Sequence, residues 1–299
     1  MKPVSSATSV RQRLLNHARE QREPFDFVLV RYGIERFLYR LGVSRWAEQF
    51  VLKGSMLFHV WRHTGYRPTR DVDLLDLAGD DMAGIETAML EVLREKAPDD
   101  GLLFDESSIR LEEIRDAHHY HGVRVKLIAL LGRTRIPLQI DIGFGDVITP
   151  AAEKNSFPTI LTTLPAPVLN TYPDVTVIAE KLEALVDLDS ANSRMKDFYD
   201  LYILTLRPSL DLRQLRRAIH ATFSRRGTAL PTATPTGLTG AFADDKQTMW
   251  QAFLNKNGLQ NRVPLLREAI ESINAHLPPD WNHADSSQSG GGLEIRAIC

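Results

Sequence analysis

The stretch from Lys53 to Leu77, KGSMLFHVWRHTGYRPTRDVDLLDL, joins a glycine-serine turn to two aspartates, Asp71 and Asp73, set one residue apart in an apolar run. In a strand, residues i and i+2 point to the same face, so the two carboxylates would stand side by side and repel each other. Something positive must sit between them. A second apolar run, LQIDIGFGD, carries Asp141 between Ile140 and Ile142. Three acids on two neighbouring strands make a set of hard oxygen ligands suited to Mg²⁺ (or Mn²⁺). Metal ions bridging Asp71, Asp73 and Asp141 would neutralise the repulsion, bind the β- and γ-phosphates of an NTP substrate and activate a hydroxyl for in-line attack at the α-phosphate. Gly54 lets the backbone approach closely, and the amides of Gly54, Ser55 and Met56 at a helix start would cradle triphosphate oxygens. Lys53 adds a charge there or points into solvent.

Upstream, SSATSVRQRLLNHAREQ and DFVLVRYGIERFLYRLGVS carry apolar residues at three- and four-residue spacing and predict two opening helices within residues 1–48. QFVLKG predicts a strand ending in a glycine turn, SMLFHVWRH a short helix, RDVDLLDL a strand and DDMAGIETAMLEVLREKA a helix with acids at its start. LLFDESSIRLEEIRDA, VRVKLIALL and IPLQIDIGFG alternate and are rich in β-branched residues, which predicts further, antiparallel strands. The prolines and threonines of FPTILTTLPAPVLNTYPD break both periodicities, and every clear pattern beyond them is helical. The expected architecture is α/β (α+β): a mixed-sheet core over 49–165, a helical C-terminal domain over 166–280 and a polar, glycine-rich tail over 281–299.

Composition bounds the partners. A chain of 299 residues exceeds the usual single-domain size, and its net charge of −2 means that any basic surface must be local. The lone Cys299 excludes an internal disulfide and a cysteine zinc site. No apolar leader opens the sequence and no segment approaches the roughly 20 apolar residues of a membrane span, so a cytoplasmic protein with no membrane partner is expected.

In the C-terminal half, TVIAEKLEALVDLDSANSRMKDFYDLYIL carries two amphipathic helical patterns. Near a magnesium triphosphate, Lys181 would serve as a point-charge phosphate binder, and Asp200 would orient it or meet the incoming hydroxyl. The alternative is a solvated ion pair on a helical surface. In RPSLDLRQLRRAIHATFSRRG, Arg213, Arg216 and Arg217 recur at one-turn spacing, which suits RNA phosphates or a plain solvated face. Arg70, on the strand face opposite Asp71, would pair with an acid or touch the triphosphate. His118, His119 and His121 in DAHHYHGV have no neighbours that complete a metal-ligand set, and an exposed turn is expected.

Gly54-Ser55, Asp71-x-Asp73 and the apolar-flanked Asp141 together resemble the core of the DNA polymerase β type nucleotidyltransferase superfamily. KGSMLF, RPTRDVDLL, AEKLEALVDL and NSRMKDFYDLYIL are similar to the AbiEii/AbiGii nucleotidyltransferase toxins, which include the MenT toxins. The connection from Ser55 to Asp71 is longer than the superfamily's short helix. The resemblance implies that Asp71 and Asp73 bind metal and that Lys181 and Asp200 are essential. Lys53, Gly54, Ser55, Arg70 and Asp197 are assigned to the nucleotide. It further implies transfer of NMP from NTP to the 3′ end of tRNA, which blocks translation in a type IV toxin–antitoxin or phage-defence system. The cognate AbiEi-type antitoxin would act without a stable complex or by modifying the toxin. Two rival readings are transfer to a small molecule or a protein, and a non-catalytic nucleotide-binding regulator.

Overall fold

The computed structural model describes residues 6–61, 67–79, 81–115, 121–260, 262–278 and 280–282. Helices α1 (Ser6–Gln21) and α2 (Phe25–Val43) lead into β1 (Phe50–Lys53), a tight turn at Gly54–Met56 and α3 (Leu57–Val60). Then come β2 (Asp71–Asp76), α4 (Met82–Arg94), and the long strands β3 (Leu102–Arg115), β4 (His121–Leu131) and β5 (Thr134–Phe144). Short strands β6 (Glu153–Ser156) and β7 (Val168–Thr171) follow, and after them α5 (Asp174–Leu188), α6 (Met195–Thr205), α7 (Leu212–Arg226), α8 (Gly240–Asn257) and α9 (Leu266–His276).

The strands form one mixed sheet in the order β3-β4-β5-β2-β1-β7-β6. β2 runs antiparallel to β1 and parallel to β5, whereas β3, β4 and β5 form the expected antiparallel meander. The alternation of RDVDLLDL and LQIDIGFG explains the placement: Val72, Leu74, Ile140 and Ile142 are fully buried, and the intervening acids turn to the other face. Gly33 brings α2 directly onto the sheet, where a β-carbon would press to 2.9 Å from Leu138. The opening helices are therefore part of the sheet's cover. The segment FPTILTTLPAPVLNTYPD, expected to be followed only by helices, supplies β7, which pairs parallel with β1 and carries the sheet on to Thr171. Four residues with one hydrogen-bonded neighbour on each side are too short to show a periodicity.

The C-terminal helices bury an aromatic cluster in which Phe198 stacks on Phe242 with centroids 5.3 Å apart, and Trp250 packs on Tyr199 and Phe253. The buried apolar side chains of the sheet and of these helices form one continuous core.

Candidate active site

Register places the key side chains. Asp73 lies opposite Lys53 of β1 on one side and opposite Asp141 of β5 on the other, so the acids share a face across adjacent strands. Gly54 follows with φ +70°, a left-handed conformation that L side chains avoid, and a β-carbon there would come 2.0 Å from Oδ2 of Asp73. The glycine turn and the second acid are thus in contact. Burial and the nearby Asp141 push the Asp71 carboxyl up from its ordinary value. Burial also raises Asp73; Lys53 and Lys196 oppose the shift, and Asp141 and Asp71 add to it.

The positive group that the acids demand comes from β4. Arg124 stands opposite Asp141 in the ladder and grips it with both arms, Nε to Oδ1 at 2.8 Å and Nη2 to Oδ2 at 2.7 Å. Gln139 adds a donor at 3.2 Å. Asp141 is thus held by Arg124 and Gln139, and no three carboxylate, imidazole or thiol side chains among the described residues already converge as a metal-ligand group. The donor chemistry nonetheless fits a hard divalent cation. Asp71 and Asp73 are hard oxygen donors whose mutual crowding such a charge would relieve.

Facing the acids is a second cluster built by α5 and α6. Lys181 Nζ lies 2.8 Å from Asp197 Oδ1 and 2.8 Å from Asp200 Oδ2. Arg67, in the segment leading into β2, clasps Asp200 from the other side at 3.1 and 3.2 Å. The Asp200 side chain is fully buried and that of Lys181 only 14% exposed, so the solvated-pair alternative is overturned. Burial would lower the Lys181 ammonium, but Asp197 and Asp200 outweigh it and the net shift is upward. Burial likewise pushes Asp197 up, yet Lys181, Arg194 and Lys196 hold it down at about 2. Arg67 escaped the sequence reading because one arginine in a loop has no periodicity to mark its direction. Lys196, on the first turn of α6, is exposed, and no ion pair engages it among the described residues. Its charge acts on Asp71, Asp73 and Asp197.

Other expected residues have different surroundings. Lys53 neither reaches solvent nor stands free: its ammonium binds Asp146 at 2.7 Å and Glu180 at 3.1 Å and lies over the Tyr172 ring. Arg226 completes this buried network on Asp146 and on Glu183, at 3.1 and 2.6 Å, and so joins β1 to α5 and α7. Burial raises Asp146, but Lys53 and Arg226 draw it down to about 2. Arg70 pairs with an acid, Asp26, and stacks on the Phe27 ring at 3.9 Å. Ser55 is buried in the turn after Gly54. On α7, Arg213 and Arg217 are exposed, whereas Arg216 pairs with Asp280 at 2.6 Å, so the three do not form one free basic face. His118 and His119 lie outside the described residues, as does the side chain of His121.

The acid-bearing mixed sheet thus stands beside a buried lysine-aspartate cluster whose Arg67 acts on both Asp71 and Asp73. The family model described as nucleotidyl transferase AbiEii toxin, type IV TA system, matches residues 36–275. The chain belongs to that family of nucleotidyltransferase toxins. No curated protein matches it. Among solved structures, JHP933 from Helicobacter pylori is similar at 14% identity, covering 88% of this chain and 89% of its own, with a TM-score of 0.44. An H. pylori chain described as "putative nucleotidyltransferase" follows at 13% identity, 88% and 92% coverage, and a TM-score of 0.43. Among the described residues no helix is long and apolar enough to cross a membrane.

Proposed function

We propose that the protein transfers NMP from an NTP to a hydroxyl of an RNA acceptor, with the 3′ end of tRNA as the target, and thereby blocks translation. The observation that carries the reading is the alignment of Asp73 between the Gly54 end of β1 and Asp141 of β5, opposite the Lys181–Asp200–Arg67 cluster. In the reaction the acceptor oxygen attacks the α-phosphorus, a new P–O bond forms, and the α–β phosphoanhydride bond breaks to release pyrophosphate. The hydroxyl proton passes to a carboxylate of the acid set. Asp71, Asp73 and Asp141 would hold Mg²⁺ or Mn²⁺, which would supply charge neutralisation and activation of the attacking oxygen. Lys196, exposed beside these acids and in no ion pair among the described residues, faces the triphosphate, and the Lys181 cluster fixes α6 against the segment that leads into β2. Exposed Arg213 and Arg217 offer phosphate contacts to the RNA.

Family membership implies an antitoxin partner; we assign it the AbiEi type, which either modifies the toxin or acts without forming a stable complex. The proposed setting is cytoplasmic phage defence or growth control. The test is incubation of pure protein with each α-labelled NTP, Mg²⁺ and total tRNA, followed by gel analysis. Label in the tRNA band is the expected result. Label confined to protein or to a small molecule overturns the RNA acceptor, and no labelling with any NTP overturns the transfer reading.

A further inference from the structure

A cavity of about 400 Å³ opens beside Asp71, in a notch created by strand register. β2 pairs with β5 only from Asp71 opposite Gln139, so Pro137 and Leu138 of β5 run on without β2 beside them. Val30 of α2 and Leu138 give the notch apolar walls, and Ser108, Lys126 and Gln139 give it polar ones. We infer that this cavity receives the terminal nucleoside of the acceptor, holding its base and sugar so that a hydroxyl is presented at Asp71.

Two observations select that occupant. The cations at the rim are already neutralised, Lys126 by Glu112 at 2.7 Å and Arg70 by Asp26, so the cavity is poorly made for a free anion. Apolar walls with a few hydrogen-bonding groups suit an uncharged heterocycle and its ribose, and the volume falls within the range of small-ligand pockets. The second observation is position. Gly54 lies on the β1 side of the acids, and the cavity lies on their β5 and β4 side. In an in-line displacement the leaving pyrophosphate and the attacking hydroxyl stand on opposite sides of the phosphorus. With the triphosphate at the glycine turn, the cavity falls on the attacking side. The inference rests on the nucleotidyl-transfer reading.

The test uses the full chain, an RNA ending in 4-thiouridine, and the variants Ile128→Trp, at a residue that also lines the cavity and so would fill it, and Lys126→Gln, on the exposed rim. Irradiation is expected to crosslink the RNA terminus to the segments that line the cavity: Val30, Arg70–Asp71, Ser108 and residues 126–139. Ile128→Trp is expected to raise the acceptor KM about tenfold and Lys126→Gln about threefold, with affinity for a fluorescent NTP unchanged. Normal melting of Lys126→Gln keeps the comparison valid if the tryptophan variant does not fold. Crosslinks confined to other segments, or a wild-type acceptor KM in folded variants, overturn the assignment. So does a loss of NTP affinity with the acceptor KM intact, which would give the cavity to the incoming base. If wild-type protein labels nothing, the transfer reading fails, and the crosslink still decides what the cavity binds.

Discussion

The Lys181 ammonium sits 2.8 Å from a carboxylate of Asp200 that Arg67 grips from its other side, so one buried acid ties α5 and α6 to the loop entering β2. The essential lysine and aspartate implied by the sequence resemblance are therefore partners in one ion cluster, and each holds the other in place.

Removing one member of such a buried set strands the others, at a cost on the order of 3–5 kcal/mol. Lys181→Ala is expected to lower Tm and to reduce transfer more than tenfold. Lys181→Arg is expected to recover stability better than activity, because a planar fork can pair with carboxylates yet does not reproduce the geometry of an ammonium. Full activity in the alanine variant, measured by label incorporation, would remove the cluster from the mechanism.

Asp73→Asn tests the acids. Its carboxyl is raised by burial, which Lys53 and Lys196 oppose and Asp141 and Asp71 reinforce, so the fold disfavours its charged form. The variant is expected to melt at or above the wild-type temperature while losing transfer entirely. Mg²⁺ is expected to raise the Tm of the wild type and leave that of the variant unmoved. Equal stabilisation of both by Mg²⁺ would place the cation elsewhere.

Gly54→Ala is a narrower probe. The residue has φ +70°, and the new methyl would meet Asp73 Oδ2 at 2.0 Å. A cost of about 1–3 kcal/mol is expected from the backbone alone, seen as a lower Tm. Transfer is expected to fall at least as far as in the Lys181 variants, because Asp73 must turn away. A variant with wild-type activity would show that the turn and the acid do not act together.

Lys196 offers a change with little structural cost, since the side chain is exposed and no ion pair engages it among the described residues. Lys196→Ala is expected to raise the NTP KM severalfold at unchanged Tm. An effect on kcat alone, with KM intact, would place the residue with the acceptor instead.

Acid should unfold the protein late. Asp146 and Asp197 are held at about 2 against an ordinary 3.8. Depressed carboxyls give stability that is present above the ordinary value and lost as pH falls toward 2. Glu35, raised to about 7 by burial that Arg36 only partly offsets, has the opposite sign: it favours the folded state as pH drops through 7. His59, held down at about 4 by burial and Arg31, opposes Glu35, because only the unfolded imidazole takes up a proton as pH falls below its ordinary 6.5. Thermal melts are therefore expected to change little from pH 7.5 to about 5 and to fall below about 4, and Glu35→Gln is expected to make Tm decline between pH 7 and 5. An unchanged profile in that variant would contradict the Glu35 assignment.

The sequence by itself determined the acids and all the elements except the short β6 and β7. Alternation in RDVDLLDL and LQIDIGFG fixed which side chains share a face, because a strand's period of two leaves no freedom once one face must be buried. It also marked Gly54, whose placement against an acid requires the absence of a β-carbon. Tertiary structure alone decided how the charges pair. Arg67, Arg124, Glu180 and Asp146 reach the site from a loop, a neighbouring strand, a helix and a strand end, and ion pairs between elements far apart in the chain leave no local pattern. For the same reason the partners of Arg70 and Lys53, next in sequence to the acid-bearing strand and the glycine turn, were not legible. A long side chain can be claimed by any opposite charge within its reach, and here Asp26, Asp146 and Glu180 lie within it.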